Sequence, residues 1–283
     1  MISSLKELTN LLKRAFIQRS AFQIKMSKAF SSFYKDAYKS TAYLKFCVAM
    51  HQRGTPQFNL IDSYQWELFL KEVEKVPKKK GDRFLDLGCG MGHNTLEVSK
   101  LFKFNGVGID FSKDAVHRAQ KLKVSNSLEV NFRLGNFNDP FFLEKSEKYK
   151  VIFSLDGLYG IKDWENMLSL LFDRLEVGGK ILIFYSSVLK EIDSEGPLAE
   201  ALKRLKKKKV EKDFIAHYHD FTKQEESLLE RADELLEGLK SSFEEEGFSN
   251  LYKTKKDECK KGLFWHQKKC SKRLFTVIEK VSF

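Results

Sequence analysis

The spacing of apolar residues changes character twice along the chain. Leu5, Leu8, Leu11, Leu12, Ala15 and Phe16 recur at helical intervals with Lys6, Lys13, Arg14 and Arg19 opposite, predicting an amphipathic helix within residues 1–25. From Lys28 to Glu74 the pattern stays helical and becomes aromatic: Phe30, Phe33, Tyr34, Tyr38, Tyr43 and Phe46, then Tyr64, Trp66 and Phe69. Gly54-Thr55-Pro56 interrupts it, and Asn59 or Asp62 is placed to cap the helix that follows. After the linker Val76–Gly81, short apolar runs alternate with helical periodicity. The runs Arg83–Leu87, Asn105–Ile109, Leu128–Leu134, Lys150–Leu155 and Lys180–Tyr185 read as strands. Helices Asn94–Phe102, Ser112–Leu122 and Trp164–Leu175 lie between them. Such alternation predicts an α/β domain with a parallel sheet. Further on, a basic helix is expected over Leu198–Val210. A helix capped by Thr222 then lines up Leu228, Leu229, Ala232, Leu235, Leu236, Leu239 and Phe243, and Gly247 ends it. Leu251–Lys253 reads as a sixth strand and Leu274–Val281 as a seventh, rich in β-branched residues.

Composition narrows the class. At 283 residues, 42% hydrophobic with 25 Phe, the chain suits one α/β domain with additions, or two small domains, and has ample material for a core. Four Pro and 16 Gly argue against long disordered tracts. Cys47, Cys89, Cys259 and Cys270 have neither metal-ligand nor disulfide-framework spacing, so reduced thiols and a cytoplasmic protein are expected, with no bound metal. No apolar run approaches a membrane span. The first 25 residues lack an apolar signal core; they read as a surface helix or an upstream extension with Met26 as the start rather than a targeting peptide. The net charge of +11 permits a nucleic-acid partner. The lysines, however, are dispersed among glutamates and element ends, which favours solvated faces.

The chemistry concentrates in residues 83–111. Strand, Gly-rich turn (Gly88, Gly90, Gly92), helix, second strand and a terminal acid, Asp110, make one mononucleotide-binding βαβ unit. Glycine lets backbone approach a ligand closely, and an acid ending the second strand can accept from both hydroxyls of a ribose. The dinucleotide pattern G-x-G-x-x-G is not met, because His93 holds the position of its third glycine. The turn is G-x-G-x-G with Asp86 two residues ahead of it, a carboxylate suited to a cationic ligand.

The run Leu85-Asp86-Leu87-Gly88-Cys89-Gly90-Met91-Gly92, with Asp110, resembles the first motif of class I S-adenosylmethionine (SAM) dependent methyltransferases. The resemblance extends from about Ala29 to Val281. It implies a Rossmann-like seven-stranded sheet with an N-terminal helical lid over residues 1–77 and a SAM-binding domain over 78–283. The excess length after the fifth strand, about residues 187–222, is then a helical cap over the substrate. It also implies Asp86, Gly88, Cys89, Gly90, Asp110, Phe111, Asn136 and Phe137 as cofactor-binding residues, with Asn136 facing the adenine amino group. Tyr34, Tyr38 and Tyr43 become lid residues lining the pocket, with packing the lid onto the core as their alternative use. A strand on one side of Asp156-Gly157-Leu158-Tyr159 and the open edge on the other make Asp156 and Tyr159 candidates for a base, beside His217 and His219. The two histidines alternate and would share one strand face; surface or structural use is their more ordinary role. Amino-methylating relatives carry an Asn/Asp-Pro-Pro-Tyr run where this chain has Asp156–Tyr159 without prolines. That departure, with the aromatic lid, points to methylation of an N or O nucleophile on a small molecule, releasing S-adenosylhomocysteine (SAH). An RNA methyltransferase and a non-catalytic SAM-binding protein are the alternatives, and the oligomeric state is left open.

Overall fold

A computed structural model describes residues 32–52, 59–124, 128–139, 142–189, 194–208 and 214–281. The helix expected within residues 1–25 and the break at Gly54-Thr55-Pro56 lie outside them. Residues 32–39 are helical (α1), followed by α2 (Thr41–His51) and α3 (Ser63–Glu74). The sheet domain then runs β1 (Arg83–Leu87), α4 (His93–Phe102), β2 (Asn105–Asp110), α5 (Lys113–Val124), β3 (Val130–Leu134), β4 (Tyr149–Leu155), α6 (Trp164–Arg174), β5 (Leu175–Val188), α7 (Pro197–Lys208), β6 (Phe214–Asp220), α8 (Thr222–Glu245), α9 (Ser249–Gln267) and β7 (Ser271–Lys280).

The seven strands lie in the order β3-β2-β1-β4-β5-β7-β6. Strands β1 to β5 pair in parallel, and β7 runs antiparallel to both β5 and β6. The chain moves outward from β1 in one direction to β3, then returns to the other side of β1 as β4. Ligands of open α/β sheets bind at such a reversal, beyond the carboxyl ends of the strands. One face of the sheet (Leu85, Ile109, Ile152, Ile183) is covered by α6 and α7 through Trp164, Leu168, Leu171, Leu198 and Leu202. The opposite face is covered by α3 through Trp66, Phe69 and Val73 and by α4 through Val98, with Val116 and Ala119 of α5 packing beside them on Phe132. Residues buried on both faces give the near-continuous apolar strands that parallel sheets require.

Three sequence expectations are corrected. Leu251–Lys253 lies inside α9 rather than in a strand, and the sixth strand is Phe214–Asp220. The run is too short to compete with the helical periodicity around it, which buries Leu251, Lys256, Cys259 and His266. Residues 197–220 are not a cap: α7 packs on the sheet and β6 forms its edge. The additional mass is instead the α8–α9 hairpin inserted between β6 and β7. Thr222 does not cap α8 through its side chain. Its hydroxyl and amide both donate to Asp220 Oδ1, and Phe221 takes the N-cap position.

That hairpin carries the N-terminal helices. Ala42, Tyr43, Phe46, Cys47 and Met50 of α2 pack against Leu236 and Phe243 of α8 and Leu251 and Cys259 of α9. The start of α2 is also pinned electrostatically. Ser40 Oγ donates to Glu246 Oε2 at 2.7 Å and the Ala42 amide to Oε1 at 3.0 Å, a carboxylate at the positive end of the helix. Asp62 caps α3 in a reciprocal box with Gln65. Among the described residues no helix is long and apolar enough to cross a membrane.

Phe243 is fully buried where the lid meets the hairpin. Phe243→Ala is expected to lower the unfolding free energy by about 3–5 kcal/mol in a denaturant titration, the usual cost of emptying such a site. A loss under 1 kcal/mol would show that the lid does not depend on this packing.

Candidate active site

The reversal between β1 and β4 is closed by backbone meeting backbone. A Cβ on Gly88 would stand 2.4 Å from Cα of Gly157, and Gly88 has φ +82°, so only glycine fits on both counts. Ser154 Oγ donates to the Leu87 carbonyl at 2.7 Å and holds the two strand ends together. Beyond them opens a crevice that is continuous with solvent. Its walls include Tyr34, Asn59, Asp86, Gly88, Gly90 and Asp156.

Asp86 and Asp110 are both nearly inaccessible, at 2% and 3%. Asp86 Oδ2 accepts from Thr95 Oγ1 at 2.7 Å. Asp110 accepts from the amides of Gly90 at 2.9 Å and Ser112 at 2.8 Å. Neither forms an ion pair among the described residues. Burial therefore pushes Asp86 up to about 7, with the hydrogen bond from Thr95 opposing and the charge of Asp110 adding to the rise. Burial likewise pushes Asp110 up to about 6 against its backbone donors. Asp86 on the crevice wall and Asp110, which holds the amide of the lining Gly90, thus lack a positive partner among the described residues, a lack that a cationic ligand would fill. Helix α1 covers this turn: the Tyr34 hydroxyl lies 3.1 Å from where a Cβ on Gly90 would stand. Burial, then Asp110, holds that phenol well above its ordinary pKa and keeps it neutral.

Asp156 has the opposite environment. It follows β4 with φ +61°, a conformation uncommon for a residue with a side chain. Its Oδ1 accepts from Arg273 at 2.9 Å and from the Tyr159 hydroxyl at 2.7 Å; its Oδ2 accepts from Arg273 at 2.9 Å and the Leu60 amide at 3.0 Å. Burial alone would raise its pKa, but the Arg273 guanidinium outweighs burial and holds it below the ordinary carboxylate value. Four hydrogen bonds fill the acceptor capacity of the carboxylate. Asp156 is therefore a structural anion, not a free base. Tyr159, its ring half-exposed, turns its hydroxyl onto that anion; burial and the Asp156 charge keep the phenol protonated.

Arg273 itself was not legible as a site residue. Fully buried on β7, it also donates to Ser186 Oγ at 2.7 Å, the Leu60 carbonyl at 2.9 Å and Glu225 Oε1 at 3.4 Å. Glu225 accepts from Ser186 and meets His266 Nε2 at 3.0 Å. The signal was a charged residue alternating with the buried Phe275 and Val277 on one face of β7. Asn59 was weighed only as a cap; it lines the crevice.

Other expected residues are placed elsewhere. Tyr43 is buried in the lid core against Phe33 and Phe46. Tyr38 is 46% exposed, with the Arg118 guanidinium 3.7 Å from its ring centre. Tyr34 alone of the three tyrosines lines the crevice. His217 and His219 do share a face of β6, but that strand is separated from β4 by β5 and β7, three strand spacings or roughly 14 Å. His219 stacks on Phe275 with centres 5.8 Å apart, and His217 is exposed. These histidines are removed from the candidate chemistry by the order of strands. Asn136 is exposed in the turn after β3 and accepts from the Asn138 amide at 3.1 Å, while Phe137 packs edge-on against Phe142. Both stand at the correct sheet edge but neither lines the described crevice, and Phe111 likewise follows Asp110 at that edge.

Known proteins supply the context for this geometry. A family model described as a methyltransferase domain matches residues 78–252. Phosphoethanolamine N-methyltransferase 1 of Arabidopsis thaliana is 32% identical over 111 residues, covering 39% of this chain and 22% of that protein. Ajmaline N-methyltransferase of Rauvolfia serpentina is 27% identical over 152 residues, 53% of this chain and 50% of that protein. The chain therefore matches between about a fifth and a half of the length of these curated relatives. A solved phosphoethanolamine N-methyltransferase 2 of Haemonchus contortus, in complex with phosphomonomethylethanolamine and S-adenosylhomocysteine, superposes with a TM-score of 0.68 at 20% identity, over 88% of this chain and 59% of its own.

Two outcomes test the electrostatics. Arg273→Met leaves Asp156 and Glu225 buried without their cation, and is expected to lower stability by about 3–5 kcal/mol in denaturant unfolding; an unchanged midpoint would mean the network is dispensable. For Asp86 the folded pKa lies above the unfolded value of about 3.9, so the folded state holds the extra proton between these limits. Its contribution to stability is present at acidic pH and is lost as pH rises through about 7. Between pH 5 and pH 8, Asp86→Asn should gain on the wild type by on the order of 2 kcal/mol. Parallel pH profiles for the two proteins, each free of ligand, would contradict the raised pKa.

Proposed function

This chain belongs to the methyltransferase-domain family, and from that premise we propose that it transfers a methyl group from SAM to the nitrogen of a small amine. The observation that carries the reading is the chemistry of the crevice: Asp86 and the Asn59 carboxamide oxygen present acceptors on its wall, Asp110 holds the amide of the lining Gly90, and the two carboxylates have no cationic partner among the described residues. SAM fits that wall. Asp86 suits its ammonium, Asp110 its ribose hydroxyls, and the Gly88–Gly90 turn leaves space for backbone contact. Bound there, SAM would supply an activated methyl on a sulfonium; the methyl–nitrogen bond would form as the methyl–sulfur bond breaks, the electron pair staying on sulfur in SAH, and the proton from nitrogen would pass to solvent.

The protein's part is alignment and exclusion of water rather than proton abstraction. The saturated Asp156 and the neutral Tyr159 both fit that division of labour. Tyr34 covers the turn at Gly90, beside Asp86 on the crevice wall. The relatives named above methylate nitrogen in small amines, which favours N over O as the acceptor atom, and the RNA alternative has no counterpart among them.

The test is incubation of the protein with methyl-labelled SAM and, separately, ethanolamine, phosphoethanolamine, norajmaline and total RNA. Label in one of the amines with release of SAH is expected. Nuclease-sensitive label would overturn the reading, and SAH binding without any transfer would indicate a SAM-binding protein that does not turn over.

A further inference from the structure

The wall of the crevice contains one polar atom that the fold leaves unsatisfied. Asn59 Oδ1 is buried and has no hydrogen-bond partner among the described residues. It lies on the segment between α2 and α3, lining the crevice together with Asp86, Leu155 and Asp156. An acceptor withdrawn from water without a donor costs free energy comparable to a lost hydrogen bond, so its position calls for a ligand that brings the donor.

The next residue explains why the oxygen stays there. Leu60 is held at both of its backbone polar groups: its amide donates to Asp156 Oδ2 at 3.0 Å, and its carbonyl accepts from Arg273 Nη2 at 2.9 Å. The same two side chains bind each other in parallel at 2.9 Å on each arm. One rigid ion pair at the end of β4 thus fixes the backbone beside Asn59. Asp156, with both oxygens fully engaged, has no acceptor left for a substrate; the neighbouring carboxamide does.

We propose that Asn59 is the residue that binds the methyl-accepting amine, its side-chain oxygen accepting the amine N–H, with Asp156 and Arg273 as positioning residues that hold Leu60 and keep that oxygen in the crevice. The assignment rests on the amine reading above and names the group that recognises the nucleophile. Its chemistry suits the reaction. A carboxylate in that position would stabilise the ammonium form, which has no lone pair to attack with. A neutral carboxamide orients the nitrogen through N–H while leaving its lone pair free for the methyl. Asp156, a carboxylate on the same wall, is prevented from acting as that trap by the guanidinium that occupies it.

The experiment measures SAH affinity by calorimetry and methyl-transfer kinetics for whichever of ethanolamine, phosphoethanolamine and norajmaline accepts label, in wild type, Asn59→Leu and Asn59→Asp. Asn59→Leu is expected to raise KM for the amine about 3- to 10-fold, the ordinary worth of one hydrogen bond, with SAH affinity unchanged. Asn59→Asp keeps an acceptor but adds charge, so the pH at which turnover reaches half its maximum should move up by about one unit. A merely structural side chain would not move that limb. SAH affinity falling in step with KM would make Asn59 a cofactor residue and overturn the assignment, as would kinetics unchanged in both variants. A wild type that binds SAH yet methylates none of the amines overturns the amine reading itself, and the role of Asn59 with it.

Discussion

The buried pair of Asp156 and Arg273 is the constraint on which the crevice depends. Removing two charges from water is costly, and the arrangement holds because nearly every donor and acceptor around the pair is used. Arg273 reaches the end of β4 through Asp156, the end of β5 through Ser186, the start of α8 through Glu225, and the lid segment through Leu60. Only its Nε is left without a partner among the described residues. The pair also stabilises backbone geometry. Asp156 sits at positive φ directly before Gly157, whose Cα presses on Gly88. If the carboxylate were free to turn, neither that conformation nor the contact between the two strand ends would be fixed.

The three aspartates at and beside the crevice show how environment divides one side-chain type into different roles. Asp86 and Asp110 are buried against hydroxyl and amide donors, and burial raises both pKa values toward neutrality. Asp156 is also withdrawn from water, though less completely, yet a guanidinium in bidentate contact holds its pKa down. The first two can change charge state when a cation arrives. The third cannot, and so it serves as a fixed point from which the others, and the lid, are positioned. Burial is common to all three; the presence or absence of a cation decides the outcome.

What the sequence made legible follows the range of the interactions involved. The βαβ unit from Arg83 to Asp110 was readable because its signals are local: period, glycine spacing and an acid at a strand end. The class I strand order followed from the resemblance that those residues carry. The sixth strand was misplaced because Leu251–Lys253 and Phe214–Asp220 are both short, and only pairing with β7 across the intervening hairpin selects one. His217 and His219 looked like chemistry because their alternation was correct, but alternation says nothing about how many strands separate a residue from the crevice. Arg273 was overlooked for the converse reason. Its partners lie 48 to 213 residues away in sequence, so nothing near it announces a site. Tyr34 and Tyr43 share a helical aromatic pattern, and only tertiary packing sends one to the crevice and the other to the lid core.

The excess positive charge takes on a different meaning once these positions are known. Five of the 50 Lys and Arg side chains pair with acids away from the crevice. Lys180 meets Glu72, Lys256 meets Asp233 and Glu237, Arg83 and Arg133 share Glu147, and Arg204 meets Glu165. The crevice wall among the described residues carries no lysine or arginine; it carries carboxylates and a carboxamide oxygen. Of the two carboxylates on that wall, Asp156 is neutralised by Arg273, which leaves Asp86 as the one without a cation among the described residues. The sign of the crevice is therefore set by Asp86 and by Asp110, which holds the Gly90 amide, and not by the net charge of the chain.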